Sequence, residues 1–319
     1  MKDLESKTRR GFLRQLSTLV ALPLEIDLAS SVVEAAPFQL AYAPPKISCG
    51  IGLSAVRSGR STPEAYLDDK TRCVPEIVSE MASGRLKGLI FAPSDAEIER
   101  IARTQLSPHV NSPRALNSLV TSVINEYSSY LKQPDPVLGT HPLANVFPLQ
   151  IGLIGGGLAA YIIILPEFFR SKYLIADGDG ISILRHELKH VKDLFQGIQL
   201  GNDKISINEV SNGNISPKFL RYIVELRGYY TELYNWFESK VKLKQVPTST
   251  DFLGQVVGAY SRMREYVQNE PKTPFERRIG QTQLKETSGV STKRNGNVIS
   301  LNCDLFRVKE AFTFKYASQ

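Results

Sequence analysis

A chain of 319 residues, 42% of them hydrophobic, is long enough to bury a sizeable core, either as one domain or as one domain with a helical extension. The formal net charge of +7 and pI of about 9.2 come from scattered Lys and Arg, with no basic run interleaved with aromatics. The charge therefore reads as a basic soluble surface, and no nucleic-acid partner is expected. Cys49, Cys73 and Cys303 form no CxxC pair and cannot all pair within one chain. In an oxidising compartment Cys49 can bridge Cys73 and leave Cys303 free.

Residues 1–36 carry Thr8-Arg9-Arg10-Gly11-Phe12-Leu13-Arg14. This resembles the twin-arginine export signal, whose pattern is Ser/Thr-Arg-Arg-x-Phe-Leu-Lys. Residues 16–24 form a short apolar run, suited to a signal's hydrophobic region and too short to cross a bilayer. Val33-Glu34-Ala35 offers small residues for a cleavage site, whereas Glu25, Asp27 and the lack of a basic residue before the cut are atypical. The resemblance implies a bacterial protein, exported by the twin-arginine machinery to the periplasm or beyond, with no integral membrane span after processing. The alternative is an amphipathic N-terminal helix on a cytoplasmic protein.

Residues 37–148 are expected to form a helical N-terminal layer without a chemical motif. Residues 37–60 are rich in Pro, Gly and Ser and read as irregular; residues 62–81 read as helix broken near Pro75. Ser94 caps a helix running to about Gln105. Residues 112–131 form another, with Pro113 in its first turn and an apolar stripe of Leu116, Leu119, Val120, Val123, Ile124 and Tyr127.

Residues 149–240 hold the chemistry. The stretch 149–169 is the most apolar, but its apolar run is short and glycine-rich for a membrane helix. Gly155-Gly156-Gly157 matches no GxGxxG fingerprint and no P-loop lysine follows, so nucleotide binding is not expected. Residues 161–165 are β-branched and aromatic and read as a strand ended by Pro166. In residues 181–196, Ile181, Leu184, Leu188, Val191 and Phe195 follow helical spacing. Asp177 or Asp179 can cap this helix, and Gly197 or Gly201 can end it. It contains His186-Glu187-Leu188-Lys189-His190, an HExxH motif, in a chain with only four histidines. Four helical residues turn through about 400°, so His186 and His190 share a face, one turn apart, where two imidazoles can bind one Zn2+. Glu187 lies about 100° round from His186, placed to act as general base without ligating the metal.

No histidine follows His190, and Asp193 and Gln196 stand where the metzincin pattern needs Gly and His. The aspzincin motif is also missing. A downstream Glu remains as third ligand. Ser216-Pro217 opens a helix that continues to about Lys240, with Glu225 among apolar and aromatic neighbours. The phrase Glu225-Leu226-Arg227-Gly228-Tyr229-Tyr230, together with the HExxH helix and the strand before it, resembles the gluzincin type of zincin metallopeptidase. That resemblance implies a zinc peptidase with His186, His190 and Glu225 as ligands, Glu187 as catalytic base, and a peptide or protein as substrate. Glu209, in an NExxS-like context, and Glu232, two turns beyond Glu225, are alternative ligands, and a salt bridge to Arg221 or Arg227 is the plainer role for Glu225. Asp193 can orient a ligand histidine. Tyr229 or Tyr230 can donate to an oxyanion. His109 and His141 read as surface histidines or, less simply, as a transition-state donor.

Residues 241–319 open with a polar linker, followed by a helix over about 251–269 capped near Thr250. Residues 271–297 are expected to be loop, and 297–316 alternate as strands do. The expected fold is α+β and mostly helical: a zincin-like core with a small sheet whose edge strand precedes the HExxH helix, and the C-terminal elements packed on the same domain. Besides the peptidase, two functions stay open: a catalytically idle zincin-fold binding or scaffold protein, and a non-peptide metallohydrolase.

Overall fold

The computed structural model describes residues 49–131, 144–149, 159–205, 213–241, 248–295, 298–305 and 308–315. The twin-arginine-like segment, the glycine-rich stretch 150–158, His141 and Glu209 lie outside them. The described chain is α+β and mostly helical, with three small sheets.

The first three helices are α1 (Leu53–Arg57), α2 (Pro63–Cys73) and α3 (Pro75–Ala82). Val74, in extended conformation before Pro75, makes the break between α2 and α3 that the proline dictates. Strand β1 (Leu86–Phe91) follows, then α4 (Asp95–Leu106) and α5 (Pro113–Leu131). Ser94 caps α4 by accepting from the Glu97 N–H at 3.2 Å. Cys49 and Cys73 are disulfide-bonded, and Cys303 is buried in the main core outside that bridge.

Strands β2 (Ala144–Leu149) and β3 (Ala159–Ile164) complete a sheet of order β1-β3-β2, with β1 parallel and β2 antiparallel to β3. This corrects two expectations. The region 37–148 is not a purely helical layer, because it supplies β1 and β2. The strand before the HExxH helix is the central strand of its sheet, hydrogen-bonded on both sides, and not an edge. Its composition explains the placement, since Ile162, Ile163 and Ile164 are all fully buried. Ile163 and Leu165 join Ile98, Ile101, Val120 and Tyr127 of α4 and α5 in a small core, whereas Ile162 and Ile164 face the main core. Burying such a side chain is worth about 1.5–3 kcal/mol, and both faces of β3 collect it.

After the short α6 (Pro166–Arg170) comes α7 (Asp177–Gln196), the HExxH helix. Asp179 accepts from the N–H groups of Ile175 and Ala176 at 2.7 and 2.8 Å. Its other contacts reach Ser249, whose N–H and Oγ donate to it at 2.7 and 2.9 Å. Gly197, at φ 73°, ends the helix, and a Cβ there would lie 2.9 Å from Lys204 Cε. A small ribbon, β4 (Ile198–Leu200) and β5 (Asp203–Ile205), follows.

Helix α8 (Pro217–Val241) packs against both α7 and α9 (Thr250–Asn269). Ser216 caps α8 through the Phe219 N–H, and Ser249, one residue before the expected Thr250, caps α9 through the Phe252 N–H. The expected loop at 271–297 is instead α10 (Pro274–Glu286) and β6 (Val290–Asn295). Thr273 and Glu276 close a reciprocal capping box at the start of α10, which overrides the polar composition of the segment. Strands β7 (Val298–Leu305) and β8 (Val308–Lys315) complete an antiparallel β6-β7-β8 meander. Ile299, Leu301 and Cys303 alternate inward into the main core, which also holds Leu184, Leu226 and Val257.

Candidate metal centre

The site forms where α7 crosses α8. The α7 stripe of Leu184, Leu188 and Val191 is buried in the main core, as are Phe219, Tyr222, Ile223, Leu226 and Leu233 of α8. Packing these stripes together carries polar residues inward between them. His186 and Glu187 are buried, and His190 and Glu225 nearly so.

The imidazoles converge on one carboxylate oxygen. His186 Nε2 lies 3.3 Å from Glu225 Oε2, and His190 Nε2 lies 3.9 Å from the same atom. The two rings are 4.6 Å apart, edge to face. His186, Glu187 and His190 form a group able to hold a metal ion, with one ligand atom from each inside a 4.8 Å span. The other oxygen of Glu225 is 3.9 Å from Arg221 Nε, so the ion pair foreseen for this residue coexists with its approach to the histidines.

Glu232 approaches from the opposite side of His186. Its Oε1 is 2.6 Å from His186 Nδ1, and its Oε2 accepts from Ser182 Oγ at 3.1 Å. It therefore sits behind the histidine and not on the side where the Nε2 atoms meet. By contrast, His190 Nδ1 is buried and has no hydrogen-bond partner among the described residues. Asp193 does not fill that role. Its oxygens take Arg227 Nε and Nη2 at 2.8 and 3.1 Å and Lys189 Nζ at 2.8 Å, so it ties α7 to α8 instead of orienting a histidine.

The tyrosines part company. Tyr229 sets its ring edge against His186, centroids 4.6 Å apart. Tyr230 packs towards Tyr234 and Tyr260, where burial pushes its hydroxyl up to about 12, so the structure places it in the core and not beside the histidines. His109 closes a short 3-10 turn after α4.

The electrostatics follow from burial and close charge. Burial opposes charge on His186, but the hydrogen bonds to Glu225 and Glu232 outweigh it and hold its pKa well above the ordinary value. Burial, aided by the His186 charge, pushes His190 down to about 4. Burial would raise Glu225, yet the hydrogen bond from His186 and the nearby charges of His190 and Arg221 win and hold it at about 2. Glu187, with burial uncompensated, is raised to about 7. The result is an ionised carboxylate facing two imidazoles, beside a second carboxylate poised near neutrality.

Two contributors escaped the reading of the sequence. Ser182 lies four residues before His186 and so on the same helix face, which was a usable signal. Gly228 is required by proximity, since a Cβ there would lie 2.5 Å from His186 Nε2, and only the fold reveals that neighbour. The chain matches no protein-family model, no curated protein and no solved structure.

Proposed function

We propose that this chain is a zinc-dependent metallopeptidase of the gluzincin type, with His186, His190 and Glu225 as ligands and Glu187 as catalytic base. The observation that carries the proposal is the meeting of two imidazole Nε2 atoms on Oε2 of Glu225, at 3.3 and 3.9 Å. Ligands of a tetrahedral zinc at bond lengths of about 2.0–2.2 Å stand roughly 3.3 Å from one another, which the His186–Glu225 pair matches. His190, at 3.9 Å, must draw in, and Glu187 is the carboxylate that groups with both histidines before the ion binds. The charge suits it too: the Nε2–Oε2 pair marks a place for positive charge, as a shared proton or as a cation.

A Zn2+ held by His186, His190 and Glu225 would supply Lewis acidity, making water a nucleophile near neutral pH and polarising the scissile carbonyl. Glu187 takes the proton from the attacking water and returns it to the leaving amine. In the metal-free site burial raises its pKa to about 7, and the charge of a bound dication would lower it, which favours Glu187 as the proton acceptor. Glu225 supplies the negative charge of the ligand set, and Tyr229 walls one side of His186. With β3 central, a peptide adding to the sheet as a further strand uses β1 or β2 as its edge.

The same reading places the protein outside the cytoplasm. The twin-arginine-like segment motivates this, and the Cys49–Cys73 disulfide supports an oxidising compartment. No helix among the described residues is long and apolar enough to cross a membrane.

Metal analysis of the purified chain tests the proposal. About one zinc per chain is expected in wild type and in Glu187→Gln, and none in Glu225→Ala at matched circular dichroism. Peptide cleavage is expected in wild type alone. A wild-type chain that takes up no zinc refutes the reading, and one that binds zinc but cleaves nothing in a peptide library indicates a binding protein or a hydrolase of other substrates.

A further inference from the structure

We infer that Glu232, braced by Ser182, is the positioning residue of this centre, fixing His186 with its Nδ1–H towards Glu232 and its Nε2 towards Glu225. The inference rests on the metal reading above and adds to it how the ligand set is held before the ion arrives.

The geometry supports the role in four ways. Glu232 is 4% exposed, and both its oxygens are engaged, one by His186 Nδ1 at 2.6 Å and one by Ser182 Oγ at 3.1 Å, so the carboxylate cannot swing away. Both ring nitrogens of His186 face carboxylates, and once an ion replaces the proton at Nε2 the N–H kept at Nδ1 by Glu232 leaves the Nε2 lone pair for the metal. The helical repeat builds the arrangement twice over. Ser182 and His186 are one turn apart on α7, and Glu225 and Glu232 are about two turns apart on α8, so on each helix a brace shares a face with a ligand. Gly228 and Tyr229 then enclose the ring. A Cβ at 228 would reach within 2.5 Å of Nε2, and the Tyr229 ring stands edge-on 4.6 Å away. Nothing comparable braces His190, whose Nδ1 has no hydrogen-bond partner among the described residues. The centre is therefore asymmetric: His186 is fixed in advance, and His190 is set by the ion.

The test uses the full chain and Zn2+ alone, with affinity read by competition against a chelator. Glu232→Ala is expected to weaken zinc binding roughly 10- to 100-fold, the usual effect of losing such a partner. Glu232→Gln recovers part of the loss, because its side-chain carbonyl still accepts the Nδ1–H. Asp193→Asn is the structural control. It removes the charge of a similarly buried carboxylate that pairs with Arg227 and not with a histidine, and is expected to lower stability while leaving zinc affinity unchanged. Nitrogen-15 spectra of the zinc-free chain give a readout independent of turnover: a His186 Nδ1–H signal in wild type that is lost in Glu232→Ala. Should Glu232→Ala fail to fold, Glu232→Gln and Ser182→Ala decide, with smaller affinity losses of the same sign expected. Wild-type affinity in the folded Glu232 variants overturns the positioning role and leaves the metal reading standing. Equal weakening by Asp193→Asn assigns the effect to general destabilisation and also overturns it. A wild-type chain without zinc removes the metal reading and the positioning role together.

Discussion

Replacing Asp193 by alanine separates the structural role seen here from the histidine-orienting role that its position suggests. Its side chain is 5% exposed and grips Arg227, itself 14% exposed, through two hydrogen bonds, with Lys189 as a second partner. Removing the carboxylate leaves two cations against each other without their main counter-charge. Breaking a buried pair in this way costs about 3–5 kcal/mol. Gln283 Oε1 and Glu286 stay near Arg227, at 3.3 and 4.0 Å, and place the cost at the lower end, about 3 kcal/mol. With a urea slope of about 1–3 kcal/mol per molar, the unfolding midpoint falls by about 1 M or more at pH 7. The pH dependence has a definite sign. Burial would raise the Asp193 pKa, but Arg227 and Lys189 lower it further than burial raises it. Its contribution is therefore complete above the unfolded value of about 3.9 and is lost as pH falls through the folded one, so the gap between wild type and variant narrows in acid. Urea denaturation followed by circular dichroism measures both effects. An unchanged midpoint at pH 7, coupled with lost zinc uptake, would refute the structural assignment and return Asp193 to the metal centre.

Two further perturbations probe the frame of the site. Gly228→Ala gains about 1 kcal/mol in helix propensity, but its Cβ meets His186 Nε2 at 2.5 Å. Zinc affinity should therefore drop while the thermal midpoint barely moves; tight zinc binding in this variant would show that the ring can shift freely. Glu276 accepts from the N–H groups of Ser216, Lys272 and Thr273 at 2.7, 2.6 and 3.2 Å, which hold its pKa below the ordinary value against the opposing effect of burial. Glu276→Gln should cost about 1–3 kcal/mol at pH 7, where the carboxylate is ionised. That difference should fade as pH falls below about 4.3 and the wild-type carboxylate protonates. A difference independent of pH, read from urea midpoints at neutral and acid pH, would contradict it.

The helices were largely legible because their signals are local. Ser94, Pro113 and Ser216 mark their helix starts in the structure as their chemistry demands, and Gly197 ends α7. Thr273-Pro274-Phe275-Glu276 was an equally readable capping box, obscured by the polar run around it. Strand β1 was missed because Leu86 to Phe91 is short and Lys87-Gly88 interrupt its apolar residues, so periodicity does not separate strand from helix. The order of the sheet could not be read at all. That β3 lies between β1 and β2 depends on hydrogen bonds to residues some 15 and 75 positions earlier in the chain, which no local pattern encodes.

The same division runs through the site. The sequence by itself determined that His186 and His190 share one helix face with Glu187 beside them, because 3.6 residues per turn converts a spacing of four into proximity wherever the helix lies. For the opposing carboxylate it put Glu225 first, by resemblance, and left Glu209 and Glu232 as alternatives. Only the tertiary structure decided that Glu225 meets the two Nε2 atoms while Glu232 turns to Nδ1 and Ser182. It alone sent Asp193 to Arg227 and Tyr230 into the core. The physical reason is that spacing along one helix is set by its own hydrogen bonds, whereas the rotation of α8 against α7 is set by apolar packing gathered from the whole chain.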